Sequence, residues 1–519
     1  MIDRRGLLVL GSASALSLAV STRGLAAAVD PFTLGVASGD PTPDGVVLWT
    51  RLAPDPLAED GSGGLRAPVP VTWEVAADEG MKHVVRRGRT IADAAFGHSV
   101  HVEVAGLSPG RPYWYRFEAQ GHRSRVGRTK TAPALGAPAA MLTCAIASCS
   151  HYEVGYFSAY RHMAEEQPDL IFFLGDYMYE YSYTGQRADH AVRHHDRPDE
   201  VKTLAAYRNR YALHHMDPDL AQLHAASPAL MTWDDHEVSN DYANQWSQDP
   251  KVPVDAFLKR RADAYRAYYE NMPLRPLSLP RGPDMRVYDR LKFGDLAEVT
   301  VLDGRQYRTE QPCPLPTRRS GHLANCPEIS DPSRTMLGGA QERWLYEGFR
   351  SARAKWNIVA QDLLIAPLPG KMPDGSTGHY TDGWDGYAQT RSRMLHALSE
   401  AKTPNAVFFG GDIHSFWTTD LKANYDDPAS PTVATEFVGT SITSDNPPAS
   451  FVDKAALAER APWVKFMNAE THGYMSVEVT PERLSTKFQI VSDRRDPKAT
   501  VSTLKSWVVE SGKAGGMEG

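Results

Sequence analysis

Cysteine is scarce in this chain, four in 519 residues, which excludes a disulfide scaffold and leaves each cysteine to be read on its own. Charge of one sign is missing too. Lys and Arg number 56 against 63 Asp and Glu, a net −7 without long single-sign blocks, which argues against a nucleic-acid binder driven by phosphate neutralisation. No apolar run reaches the roughly 20 residues that cross a bilayer, which argues against an integral membrane segment. There is no evident repeat or low-complexity stretch, and no Gly-x-Ser-x-Gly elbow of the α/β-hydrolase kind. What is present is globular: 42% hydrophobic, 9% aromatic and 23% charged residues, enough for a full core. At roughly 150 residues per domain the length predicts two or three domains.

The amino terminus reads as an address. Arg4 and Arg5 precede an apolar run from Leu7 to about Val20, and Ala26, Ala27 and Ala28 supply the small residues a signal peptidase needs. Residues 1–28 are therefore expected to be a signal peptide. The paired arginines and the modest apolar run containing Gly11 resemble a twin-arginine signal, which exports folded proteins through the twin-arginine machinery. The mature protein is expected outside the cytoplasm: secreted, periplasmic or at the cell surface.

Two periodicities follow. Over residues 29–133, short alternating runs at 45–52, 69–75, 98–104, 113–119 and 124–129 are separated by turn residues, the pattern of an antiparallel β-sandwich. Leu107-Ser108-Pro109-Gly110 followed by Tyr113 resembles the tyrosine corner of immunoglobulin- and fibronectin-like domains. A Pro- and Ala-rich linker at 133–138 opens a second domain, 134–519, where strand and helix patterns alternate. Strands are predicted at 141–147, 170–174, 230–233, 297–302, 357–359 and 406–409, and helices at 156–166, 254–269, 341–354 and 391–401. This is a layered α/β domain.

In such domains, sites gather beyond the carboxyl ends of the strands. The residues there are Cys149 in Ala-Ser-Cys-Ser-His, Asp176 and Tyr179 in Gly-Asp-Tyr-Met-Tyr, Asp235 in Asp-Asp-His-Glu, and Asp412 and His414 in Gly-Gly-Asp-Ile-His. Thiolate, phenolate, imidazole and carboxylate all hold cations, and four such clusters in one domain predict a metal site. Of the remaining cysteines, Cys144 lies in an apolar strand and reads as a buried hydrophobe. Cys313 and Cys326 are expected to pair in an exported protein.

In their order these motifs resemble the metallophosphoesterase pattern. Their wording is closer still to the PhoD-like alkaline phosphatase and phosphodiesterase family, through FTLGVASGDPTPDGVVLWTRL at 32–52, Ala-Ser-Cys, Thr-Trp-Asp-Asp-His-Glu at 232–237 and Gly-Gly-Asp-Ile-His at 410–414. The resemblance implies a layered α/β/β/α sandwich behind the β-sandwich. It implies that Asp176 bridges two metals and that Cys149, Tyr179 and His414 complete one of them. Cys149 stands where the broader superfamily has an aspartate, Asp235 where it has an asparagine and Asp412 where it has a histidine, so the second metal meets harder oxygen donors.

Thiolate, phenolate and imidazole suit Fe3+, and carboxylate and carbonyl oxygens suit Ca2+. The donor set leans toward that pairing, with more than one Ca2+, and the resemblance implies it as well. His236 and His151 lie beside ligand motifs as candidates for contacting phosphate or protonating the leaving oxygen. Whether Gln361, Asp362, Asp234 or Asn240 completes the site stays open. The expected activity is release of phosphate from phosphomonoesters, with cleavage of phosphodiesters, by a metal-activated water. The alternatives are a phospholipase D-type or teichoic-acid phosphodiesterase and, from another class, a noncatalytic surface protein stabilised by metal.

Overall fold

The computed structural model describes residues 29–447, 457 and 459–519. The expected signal peptide lies outside them. Two sheets face each other at the centre. The larger runs, edge to edge, through Met517–Glu518, Val501–Glu510, Arg483–Val491, Gly473–Val479, Leu142–Ala147, Leu170–Leu174, Ala229–Thr232, Val36–Thr42, Gly45–Arg51 and Ser99–Val104. Its middle is parallel: Leu170–Leu174 pairs with Leu142–Ala147 on one side and with Ala229–Thr232 on the other. The second sheet is Asp289–Phe293, Ala297–Val301, Trp356–Ala360, Ala406–Gly410, Thr432–Val438, Phe416–Lys422 and Val464–Asn468.

Each layer follows from where its apolar residues point. Ile146, Phe172 and Leu230 from one sheet meet Val299, Ile358 and Phe409 from the other in a dry core between the sheets. Neighbouring residues on the same strands, Ala145, Ile171 and Met231, face outward onto the aromatic-rich helices Ser158–Glu166, Leu204–His215, Pro218–Ala226 and Val254–Asn271. The other sheet covers its outer face, including Val359 and Phe408, with Gly338–Ser351 and Ala388–Ala401. Parallel strands buried on both faces read as continuous apolar runs, which is why LIFFL at 170–174 stands out in the sequence.

Residues 29–133 form the expected sandwich, with one departure. Its second layer, Val84–Ala92, Val69–Ala76, Pro112–Ala119 and the short strands beyond, packs Val71, Val75, Tyr115 and Phe117 against Val36, Val46 and Leu48. Its first layer is the far end of the large sheet, joined by the parallel register Gly39 to Ala229. The segment is thus tied to the rest by strand pairing as well as by the chain. The tyrosine corner is present: the Ser108 N–H donates to the Tyr113 hydroxyl oxygen at 2.9 Å. Cys313 and Cys326 are bonded, with Cα atoms 5.8 Å apart, and Cys144 and Cys149 are free and buried.

Several elements escape the periodicity argument, among them every strand after Ala406–Gly410, and three others show why. Val84–Ala92 is an outer strand with three arginines and mostly unburied residues, so alternation is weak there. Every residue of Leu204–His215 from Tyr207 onward is buried, which erases the one-sided stripe that marks a surface helix. Pro218–Ala226 is announced only by its capping: the Asp217 carboxylate accepts from Asp219 and Leu220 N–H ahead of Pro218. Among the described residues, no helix is long and apolar enough to cross a membrane.

Candidate metal centre

The carboxyl ends of the strands converge on one point. Cys149 follows Leu142–Ala147, Asp176 follows Leu170–Leu174, Asp235 follows Ala229–Thr232, and Asp412 and His414 follow Ala406–Gly410. The turns are tight enough to force unusual backbones: Cys149, Asp176, Asp412 and His414 all have positive φ, at 62°, 54°, 64° and 50°. For non-glycine residues that conformation costs about 1–3 kcal/mol each and gathers at functional sites. Gly175, at φ +89°, leaves no room for a side chain, since a Cβ there would sit 2.4 Å from that of Asp234.

Among the described residues three groups of ligand atoms result, each within 4.8 Å: Cys149, Asp176 and His414; Asp176, Asp235 and His236; and Asp235, Asp241 and Asp382. They form a chain in which Asp176 belongs to the first two and Asp235 to the last two. Tyr179 sits within the first. Its hydroxyl donates to Asp176 Oδ2 at 2.8 Å and lies 3.1 Å from His414 Nε2. Since the Asp445 carbonyl can only accept, His414 carries its proton on Nδ1, 2.7 Å away, leaving the Nε2 lone pair for a cation.

The electrostatics fit a cation. Burial, then the Asp176 charge, pushes the Cys149 thiol and the Tyr179 phenol well above their usual ranges; burial and neighbouring carboxylates do the same to Asp176. A set of buried acids that resist ionising together is what a positive ion relieves. Asp176 Oδ1 and Asp235 Oδ1 are buried with no hydrogen-bond partner. Burial lowers His414 to about 4, so it stands ready as a neutral ligand.

Other expected residues divide clearly. Asp412 belongs to none of the three groups; it is partly buried and lines the adjoining cleft. Asp234 pairs with the Arg305 guanidinium, which also contacts Asp382 and lies 3.7 Å from Asp362. Gln361 is spent on the backbone, with Oε1 accepting from Leu363 N–H at 3.0 Å and the Trp384 indole at 3.2 Å. Both Asp362 carboxylate oxygens are buried without a hydrogen-bond partner, so of this pair Asp362 keeps donor capacity. Asn240 offers its backbone N–H to Glu180 at 2.7 Å.

Glu237, last of the Asp-Asp-His-Glu run, points away from the cluster and staples its backbone. Its carboxylate accepts from Asp176, Tyr177 and Asp234 N–H at 3.1, 2.6 and 2.9 Å. The two histidines differ. His236 Nδ1 meets Glu180 Oε2 at 2.7 Å; against the burial that would lower it, Asp235, Asp176 and Glu180 hold the imidazole well above its usual range. His151 is packed among Tyr179, Tyr181 and Tyr183; burial first, then His236 and Arg210, keep it neutral.

Sequence reading did not find Asp241, Asp382, Glu180, Arg305 or Ser444. Arg305 was within reach, since Asp303-Gly304-Arg305 follows the strand Ala297–Val301 as the other site turns follow theirs. Asp382 and Ser444 carry no local signal. Beside the cluster opens a cleft of about 750 Å³, lined by Asp412 and His414 together with Leu364, Leu368, Met372, Ile413 and Pro447.

Comparison with known proteins agrees on one family. The sequence profile of the PhoD-like phosphatase matches residues 144–488, and that of the PhoD-like phosphatase N-terminal domain matches residues 18–133. Alkaline phosphatase D of Bacillus subtilis (strain 168) is 43% identical over 492 residues, covering 93% of this chain and 82% of that protein. The solved structure described as "Structure of PhoD" superposes with a TM-score of 0.88 at 42% identity, covering 95% of this chain and 92% of that one.

Proposed function

The chain belongs to the PhoD-like phosphatase family and is a phosphoric ester hydrolase, and from that premise we propose a mixed-metal centre with assigned ligands. Cys149, Asp176, Tyr179 and His414 would hold Fe3+, a trivalent ion whose charge is matched by anionic thiolate, phenolate and carboxylate donors together. Asp176, Asp235 and the carboxylates beyond them, Asp241, Asp382 and Asp412, would hold Ca2+. The single observation carrying this reading is that Asp176 belongs to two adjacent ligand groups at once. Bound there, paired cations supply Lewis acidity and an activated water for in-line displacement at phosphorus.

The chain's own residues do the rest. His236, oriented through Nδ1 by Glu180, is placed to give a proton to the leaving oxygen. His151, neutral and enclosed by tyrosine rings, supports Tyr179 by packing. The noncatalytic alternative falls, because the family is enzymatic and the donors are packed into a strained, buried centre.

A second activity, on phosphodiesters, is favoured by the cleft beside His414, whose apolar walls have room for an ester substituent that a monoester lacks. Export by the twin-arginine route belongs to the same proposal and is supported by Arg4 and Arg5 ahead of the apolar run. The test is elemental analysis of purified protein together with turnover of p-nitrophenyl phosphate and bis-p-nitrophenyl phosphate, before and after dialysis against EGTA. Iron and calcium with EGTA-sensitive turnover are expected; full activity without iron, or indifference to EGTA, overturns the assignment.

A further inference from the structure

Three consecutive residues, Ser444, Asp445 and Asn446, each touch a residue of the Cys149, Tyr179 and His414 group. Ser444 Oγ donates to the Tyr179 phenolic oxygen at 2.7 Å and lies 2.9 Å from the Cys149 carbonyl. The Asp445 carbonyl fixes His414 Nδ1, and Asn446 Nδ2 donates to the His414 carbonyl at 2.8 Å. The tripeptide is itself pinned. Asp445 accepts from the Tyr183 hydroxyl at 2.8 Å and from the Arg494 guanidinium. Ser444 is buried.

We propose that Ser444 is a positioning and tuning residue for the iron ligand Tyr179, supplying the hydrogen bond that a phenolate oxygen in this buried place requires. This rests on the iron reading above. A serine hydroxyl has one proton and here two acceptors, the Tyr179 oxygen and the neutral Cys149 carbonyl. Hydrogen bonds to an ionised acceptor are roughly twice as strong as neutral ones, so an anionic ligand oxygen takes the proton. Its effect is electronic as well as steric. A hydrogen bond stabilises the phenolate lone pairs, weakens donation to the metal and raises the energy of ligand-to-metal charge transfer. The same weakening favours the reduced metal relative to the oxidised one, and so sets the potential.

The experiment compares iron-loaded wild type, Ser444→Ala and Ser444→Thr. Ser444→Ala is expected to move the visible charge-transfer band to longer wavelength and the iron midpoint potential to more negative values; Ser444→Thr, which keeps a hydroxyl, restores both. An unmoved band and potential in Ser444→Ala with iron content intact overturns the proposal. Should Ser444→Ala fail to fold, wild type decides: transfer to D2O must shift the phenolate C–O vibration seen by resonance Raman, and its absence overturns the proposal equally. Wild type that binds no iron overturns the iron reading and the proposal with it, a result distinct from an iron band that does not move.

Discussion

His236 and Glu180 are joined through Nδ1 and Oε2 at 2.7 Å, both side chains buried, and the other Glu180 oxygen accepts from Asn240 N–H at 2.7 Å. That second bond fixes the carboxylate and, through it, the face of the imidazole turned toward Asp176 and Asp235. Glu180→Gln keeps the shape and removes the charge. Turnover of an alkyl phosphate is expected to fall about 10–100-fold, the usual cost of losing such support. p-Nitrophenyl phosphate, whose leaving group needs little protonation, should lose much less. Equal losses on the two substrates would remove His236 from the role of proton donor.

Asp176→Asn tests the bridge. Asparagine tolerates the positive φ of 54° at this position, so the turn survives while the shared charge disappears. Turnover should fall by about two orders of magnitude or more, with the circular dichroism spectrum and unfolding midpoint close to wild type. Near-wild-type turnover would show that the two ligand groups do not share this residue in use.

The Cys313–Cys326 bond closes a loop with a sequence separation of 13, and in the chain-entropy model that restricts the unfolded state by about 3 kcal/mol. A Cys313→Ser, Cys326→Ser double variant should lose stability of that order in urea unfolding, and wild type treated with a reductant should match it. A midpoint unchanged from wild type would mean that the loop is already ordered when unfolded.

Acid should weaken the helical layer through His224. Burial alone lowers this histidine to about 3, and its ring is enclosed by Phe173, Tyr177 and His215. The folded state therefore holds it neutral while the unfolded chain takes up a proton near 6.5, so stability is lost as pH falls from about 6.5 toward 3. His224→Phe removes the titration but strands the Tyr177 hydroxyl, at a cost of about 1 kcal/mol at pH 7.5. Between pH 7.5 and 4.5 the variant should lose about 2–3 kcal/mol less than wild type in urea unfolding. Parallel losses would place His224 outside the acid response.

How much was legible in the sequence depends on how local each feature is. The apolar runs at 142–147, 170–174 and 406–410 announce strands by themselves, and the chemistry-bearing residues just beyond them, Cys149, Asp176, Tyr179 and His414, are found because a strand end and its turn are neighbours in the chain. Pairing of Cys313 with Cys326 is legible for the same reason.

What only the tertiary structure decided is which of these residues meet, and what holds them. Ser444 reaches Tyr179 across 265 positions, and Arg305 reaches Asp234 across 71. It also took packing to turn Glu237 away from the cluster and to spend Gln361, an open candidate for completing the site, on the Leu363 N–H and the Trp384 indole. The first layer of the amino-terminal sandwich merges with the large sheet through Gly39 and Ala229, a pairing no local pattern contains. Periodicity records which way a side chain points within its own element; the partner across a 2.7 Å hydrogen bond is chosen when the layers close, and the order of residues along the chain carries no mark of it.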